Sequence, residues 1–271
     1  MTKKIVLVTG ASSGIGKATT KLLAKQGLIV YGAARRLSEM GDLMKLGGHP
    51  IAMDVTDQAS VESAIEKIMQ AHGRIDVLVN NAGFGLYGSI EDVKLDQAKY
   101  QFEVNVFGLA RVTQLVTPIM RKQKSGTVIN MSSMGGRMYT PLGGWYHATK
   151  HAVEGLSDCL RVELKPFGID VVIIEPGIIR TNFGNVLAAP LLELSKGGAY
   201  EGMVDKMMAG REAVENSGSS PDVIAQTISA AIHASSPKSR YLVGKLAKPL
   251  VYMRRWLGDR LFDSILMSQL K

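Results

Sequence analysis

The chain carries a single cysteine, Cys159, among 271 residues. An internal disulfide and a cysteine-cluster metal site are therefore both excluded, and a reducing cytoplasm is the expected compartment. Aromatic residues are sparse, at 6%. No dense basic run is interleaved with them, so the charge-plus-stacking signature of a nucleic-acid binder is missing. Long apolar runs are absent too: none approaches the roughly 18 residues of a membrane-spanning helix. The opening MTKKIVLVTG has a short apolar run that ends in a glycine motif, not a cleavage site, which argues against a secretory signal.

What remains is ordinary soluble usage. Apolar residues make up 46% and charged residues 21%, which excludes global disorder, and the length suffices for one large domain. The net charge is +8, and residues 245–271 supply six basic against two acidic side chains. Such a surplus favours anionic partners.

Short β-branched runs alternate with helical periods. Strands are expected at Ile5–Thr9, Ile29–Ala33, Pro50–Met53, Val77–Asn80, Thr127–Met131, Asp170–Glu175 and Arg240–Val243. Helices are expected at Ile15–Gln26, Gln58–Ala71, Gln97–Met120, Tyr146–Leu164 and 221–234. Several of the strands are near-continuous apolar runs, as burial on both faces requires. This order implies an α/β fold: one doubly wound parallel sheet with helices on both faces. Residues 182–220 break the pattern, with scattered glycines and Met203, Met207 and Met208. They read equally as a substrate lid or as a surface excursion. The tail 249–270 reads as a Pro-initiated amphipathic helix or helix pair. Leu250, Met253, Leu257 and Leu261 share a face, with Trp256 and Phe262 near it. A docked terminal helix is favoured over membrane-surface contact.

Thr9-Gly10-Ala11-Ser12-Ser13-Gly14-Ile15-Gly16 joins the first strand to the first helix. Gly10 permits a sharp turn, Gly14 lets the backbone approach a diphosphate, and Gly16 allows close helix–strand packing. Free N–H groups at the helix start would face that diphosphate. The T-G-x-x-x-G-x-G spacing resembles the classical short-chain dehydrogenase/reductase family, whose fold is of Rossmann type.

That resemblance implies further site residues. The second strand ends without the acidic residue of an NAD-selective site. Arg35 and Arg36 stand there instead, suited to a 2′-phosphate, so NADP(H) is favoured over NAD(H). Asp54 and Val55 would lie near the adenine, Asp54 serving equally as a turn or cap aspartate. Asn80 would tie neighbouring strands. Asn81, Ala82 and Gly83 match the family's N-N-A-G, with Gly83 against the ribose. Pro176, Gly177, Ile179 and Thr181 would hold the nicotinamide, Gly177 by permitting close backbone approach. Ser12 and Ser13 would add phosphate contacts.

Tyr146 and Lys150 sit at i and i+4, one face of a helix. An ammonium beside a phenol lowers the phenol's pKa and lets it exchange a proton with a carbonyl or alcohol oxygen. By resemblance, Ser133 orients the substrate oxygen and Lys150 holds the ribose hydroxyls. Asn105 would bond helix backbone and organise a proton relay through the lysine. His147 and His151 have a metal-compatible spacing, but no third ligand is evident. A helix surface or subunit contact is expected, with no metal. Cys159 is expected to be a packed core thiol.

The expected function is NADP(H)-dependent interconversion of a secondary alcohol and a carbonyl on a lipophilic small molecule. Segments 81–91 and 164–169 resemble the branch holding 17β-hydroxysteroid and retinol dehydrogenases. A 3-oxoacyl-thioester reductase and a non-catalytic NADP sensor are the alternatives. Residues 1–271 would form one domain, with 182–220 as lid and 245–271 as helical tail. The helices at 97–120 and 146–164 would, by resemblance, make a dimer or tetramer interface.

Overall fold

Every residue of β1 (Ile5–Thr9) is buried, and successive side chains part to opposite faces. Ile5 and Leu7 join an apolar layer with Ile68, Val112 and Val116. Val6 and Val8 join the other layer with Leu23, Ile224 and Ile228. A strand needing apolar partners on both sides has to lie inside a sheet covered twice. The computed structural model, which describes residues 3–268, shows that arrangement.

The chain runs β1, α1 (Gly14–Lys25), β2 (Ile29–Ala34), α2 (Gly41–Lys45), β3 (His49–Ala52), α3 (Gln58–His72) and β4 (Val77–Asn80). It continues through α4 (Leu95–Phe102), α5 (Leu109–Gln123), β5 (Gly126–Met131), α6 (Gly144–Leu164) and β6 (Ile169–Pro176). The last elements are α7 (Phe183–Ser195), α8 (Glu201–Ala209), α9 (Arg211–Asn216), α10 (Pro221–His233), β7 (Arg240–Val243) and α11 (Ala247–Ser268). The seven strands pair in the order β3-β2-β1-β4-β5-β6-β7, all in parallel. The order reverses between β1 and β4, where a crevice opens at the carboxyl ends.

The expected helix over Gln97–Met120 is interrupted. A π-helical segment, Glu103–Gly108, separates α4 from α5. It contains Asn105, whose side chain bonds outside its own helix, and such bulges accompany a residue re-aimed for another task. The tail is likewise two helices: Gly258, at φ 70°, breaks α11. The break re-phases the second half. Val251 and Phe262 therefore meet the body, while Leu257, Leu261 and Trp256 stay exposed, contrary to the single apolar stripe expected. Cys159 is exposed, not a core thiol. On α6 the buried positions Val153, Ser157 and Leu164 face the body and leave residue 159 outside.

A polar chain crosses the interior. Asn80 Nδ2 donates to Thr113 Oγ1 and to Asn130 Oδ1, both at 2.9 Å. Asn130 donates on to Ser157 Oγ, and Ser157 to the Val153 carbonyl. Two strands and two helices are thereby pinned, as expected of Asn80. Replacing Asn80 by Ala strands the buried acceptors. The unfolding free energy in urea should fall by about 2 kcal/mol, whereas Glu62→Ala on exposed helix surface should change it little.

Candidate active site

The glycine loop is held by the strand beside it. Gly10 adopts φ 67°, and a Cβ there would stand 2.8 Å from Ala82 Cα. A Cβ on Gly16 would stand 2.3 Å from the Gly10 carbonyl oxygen. Asn81 Nδ2 donates to the carbonyls of Thr9 and Gly10. The backbone N–H groups of Asn81 and Ala82 both donate to Thr9 Oγ1 at 3.0 Å. The side chain of Asn81 thus serves the turn itself. Ser13 precedes α1 without a side-chain bond to its first turn, so the helix start keeps donors for an anion. The Thr181 methyl lies 3.4 Å from where a Gly14 Cβ would be, which brings the end of β6 to the same loop. These features fit a dinucleotide diphosphate.

At the end of β2, Arg35 Nη1 donates to the Tyr100 hydroxyl at 3.2 Å and lies 4.0 Å from Asp54 Oδ2. Arg36 is exposed. The other Asp54 oxygen accepts from the Thr56 N–H and hydroxyl. Burial opposes the Asp54 charge, but those bonds and the arginine outweigh it, so the carboxyl sits below its usual range. The Val55 side chain packs against Gly108, turned into the body. Gly177, just past β6, is tightly packed as well. Its close approach is to the chain itself, since a Cβ would fall 2.2 Å from the Lys245 carbonyl oxygen. Ile179 bridges to Ser219, and the Thr181 hydroxyl accepts from the Phe183 N–H.

Tyr146, Lys150, Ser133 and Asn105 converge where β4 and β5 end. Lys150 Nζ donates to the Met131 carbonyl at 2.8 Å and stands 5.9 Å from the Tyr146 ring centre. A Cβ on Gly83 would lie 3.0 Å from Asn105 Oδ1 and 3.9 Å from Lys150 Nζ. Asn105 accepts from the Phe84 N–H and donates to the Phe84 carbonyl and to Thr149. Its backbone partner is thus the loop after β4, not its own helix. Thr149 donates to the Tyr146 carbonyl. Ser133 Oγ accepts from the Gly135 N–H, and its side chain is near enough to Tyr146 to favour the phenolate.

Burial decides the electrostatics. It pushes the Tyr146 phenol above its ordinary value, with the nearby Ser133 hydroxyl pulling the other way. The expected lowering by Lys150 is not seen, because the ammonium is turned to Met131. Burial also pulls Lys150 down to about 8, against the opposing charge of Glu154.

His147 and Glu175 are decided by tertiary packing. His147 is 5% exposed, not on a helix surface. Its Nε2 accepts from the Thr140 N–H, so its Nδ1–H donates to the Gly135 carbonyl. A neutral ring therefore staples the segment after Ser133 onto α6, and burial keeps its pKa low. His151 is spent on the His147 carbonyl. Glu175 is fully buried between Arg137 and Arg240, with Glu154 near, and burial raises it to about 7. An acid closing an apolar strand was the only sequence signal, and nothing local names its arginine partners.

Segment 182–220 covers this ground with apolar groups. The Phe183 ring is 5.6 Å from Tyr146 and packs on Gly85. Tyr87 stands 5.7 Å from Tyr146 on another side. Tyr87 also packs with Leu142, Leu187, Leu191, Met203 and Met207.

The sequence profile of the short chain dehydrogenase family matches residues 4–190. The chain belongs to the short-chain dehydrogenase family. It is 36% identical over 267 residues to the 3-ketodihydrosphingosine reductase of Bacteroides thetaiotaomicron, covering 97% of this chain and 96% of that one. It is 34% identical over 283 residues to the NADPH-dependent 3-dehydrocapnine reductase of Ornithobacterium rhinotracheale, covering 99% and 98%. A solved short-chain dehydrogenase from Streptomyces avermitilis superposes with a TM-score of 0.81 at 34% identity, covering 99% and 95%. The protein is accordingly an oxidoreductase of the alcohol–carbonyl couple.

Lys150 makes the fold's stability pH-dependent. The unfolded chain holds the lysine proton up to 10.5, the folded chain only to about 8. Between those values the unfolded state binds more protons, so this group's contribution to stability rises with pH. Chemical unfolding of wild type and Lys150→Met should show wild type gaining about 2 kcal/mol on the variant between pH 8 and about pH 10.

Proposed function

We propose that the protein is an NADP(H)-dependent reductase of a lipid ketone. The observation that carries this reading is the buried Tyr146, beside Ser133 and enclosed by Phe183 and Tyr87. A proton donor in an apolar enclosure suits a carbonyl on a lipophilic chain. Two full-length relatives named for 3-keto and 3-dehydro lipids support the substrate class. Ala34 in place of an acid, Arg35 and Arg36 at the end of β2, and the NADPH-dependent relative support the cofactor.

Ser12, Ser13, Gly14, Ile15 and Gly16 would hold the diphosphate, Arg35 and Arg36 the 2′-phosphate, and Asp54 the adenine. Gly83, Lys150, Pro176, Ile179 and Thr181 would hold the nicotinamide riboside. When bound, the cofactor supplies the hydride to the carbonyl carbon. Ser133 donates a hydrogen bond to the substrate oxygen and offsets its growing negative charge. The Tyr146 hydroxyl gives that oxygen its proton. The raised phenol pKa keeps the hydroxyl protonated, which suits reduction. Lys150, which would hold the ribose hydroxyls, would bring positive charge to the phenolate left behind. Asn105 holds the loop of Gly83 and Phe84 in register with that lysine. Segment 182–220 serves as lid. Exposed Phe107, Leu156 and Val162 on the helices at 97–120 and 146–164 support self-association through that face.

Tyr146→Phe should lower kcat at least about 100-fold while leaving NADPH affinity in place; a sensor protein would keep its function. Paired Arg35→Ser and Arg36→Ser changes should weaken NADPH about 10- to 100-fold in a fluorescence titration and leave NADH unchanged. A wild type that prefers NADH, or that reduces acetoacetyl thioesters faster than long-chain 3-keto amines, would reverse the respective assignment.

A further inference from the structure

Helix α11 meets the body on one side only. Ala247, Val251 and Phe262 are buried there, and Leu250, Met253 and Leu266 pack beside them on Met134, Met138 and Tyr139. Arg254 belongs to that side as well, 5.1 Å from the Tyr139 ring centre and paired with Asp259. The opposite side is bare. Lys248, Tyr252 and Trp256 follow one another at helical i, i+4 spacing, and all three are exposed. Trp256 is 76% exposed, more than any other large apolar side chain among the described residues. Arg255 lies beside it, its guanidinium 5.6 Å from the indole. Past the break, Arg260, Leu261 and Met267 are exposed. Among the described residues, Lys245, Lys248, Arg255 and Arg260 have no ion-pair partner.

We propose that this outer face docks the protein on an anionic lipid surface. An indole and a phenol, each with one apolar and one polar end, settle at headgroup depth, while lysine and arginine stems reach the lipid phosphates. Unpaired cations around exposed rings supply both attractions at one place. A second copy is a poorer occupant, because symmetric pairing of this face sets the same four cations against each other. No described helix is long and apolar enough to cross a membrane, and the contact inferred is peripheral.

The face also stands close to the site. Lys245, at the root of α11, accepts from the Ile178 N–H at 2.9 Å and donates its own N–H to Ser219 at 3.0 Å. The underside of the helix rests on residues 134–139, which directly follow Ser133. A docked molecule would thus hold its catalytic rim near the bilayer, where a lipid ketone resides. This last step rests on the proposed substrate; the docking does not.

The test is co-sedimentation of the full chain with sucrose-loaded vesicles of phosphatidylcholine, with and without phosphatidylglycerol. The expected result is binding to the anionic vesicles only, reversed by high salt, with a blue shift of tryptophan emission that Trp256→Tyr reduces. Arg255→Gln with Arg260→Gln should weaken binding about thirtyfold, with thermal melting and turnover of a water-soluble ketone unchanged. Sedimentation with neither vesicle, or binding indifferent to these substitutions, would overturn the proposal. So would a Trp256→Ser variant that changes oligomeric mass with no lipid dependence, since a second copy would then be the occupant. Because vesicle binding is read without substrate, it stands or falls separately from the reductase reading.

Discussion

The parallel pairing of β1 with both β2 and β4 is the constraint on which the rest depends. It puts the reversal of strand order at one crevice, and the loops that leave the parallel strands share its rim. Thr9, the last residue of β1, then accepts from two backbone N–H groups beyond β4, and Asn81 returns bonds to the carbonyls of Thr9 and Gly10. A Cβ at Gly10 would break into this knot. The same pairing that builds the core therefore sets the shape of the anion cradle. The Asn80–Asn130–Ser157 chain carries that register across to α6, the helix bearing Tyr146 and Lys150.

Around Tyr146 and Lys150 burial is the dominant electrostatic force, and it moves the two pKa values in opposite directions. The phenol is pushed toward its neutral form, and so is the lysine. The phenol therefore stays a neutral proton donor, while the lysine keeps its charge near neutral pH and loses it above about 8. His147, also neutral, fixes the loop after Ser133 without adding charge. The charge has been moved one layer back, to Glu154, Glu175, Arg137 and Arg240. There two neighbouring acids in low dielectric are tolerable because Arg240 bridges both and Arg137 adds a second guanidinium to Glu175.

Much of this was legible along the chain. Apolar runs such as Val77–Asn80 announced strands buried on both faces. The glycine spacing after Thr9 and the Tyr146–Lys150 pair announced the crevice residues, because these signals are local and their spacing is set by turn and helix geometry. The misreadings share one cause. Cys159 and His147 lie on the same helix, and periodicity could not say which of its sides met the sheet. At Gly177 the neighbour that forbids a side chain is Lys245, 68 positions on, which no local signal names. Gly258 reversed the meaning of a regular apolar stripe by rotating half of it.

The sequence by itself determined the alternation of strands and helices, the family, and the residue types gathered at the strand ends. These follow from hydrophobic period and backbone freedom, which act over a few neighbouring residues. Only the tertiary structure decided which arginines meet Glu175, where the Lys150 ammonium points, and which side of α11 stays in water. Each of those depends on distant segments packed against one another, and burial, which sets both charge state and exposure, exists only after that packing is complete.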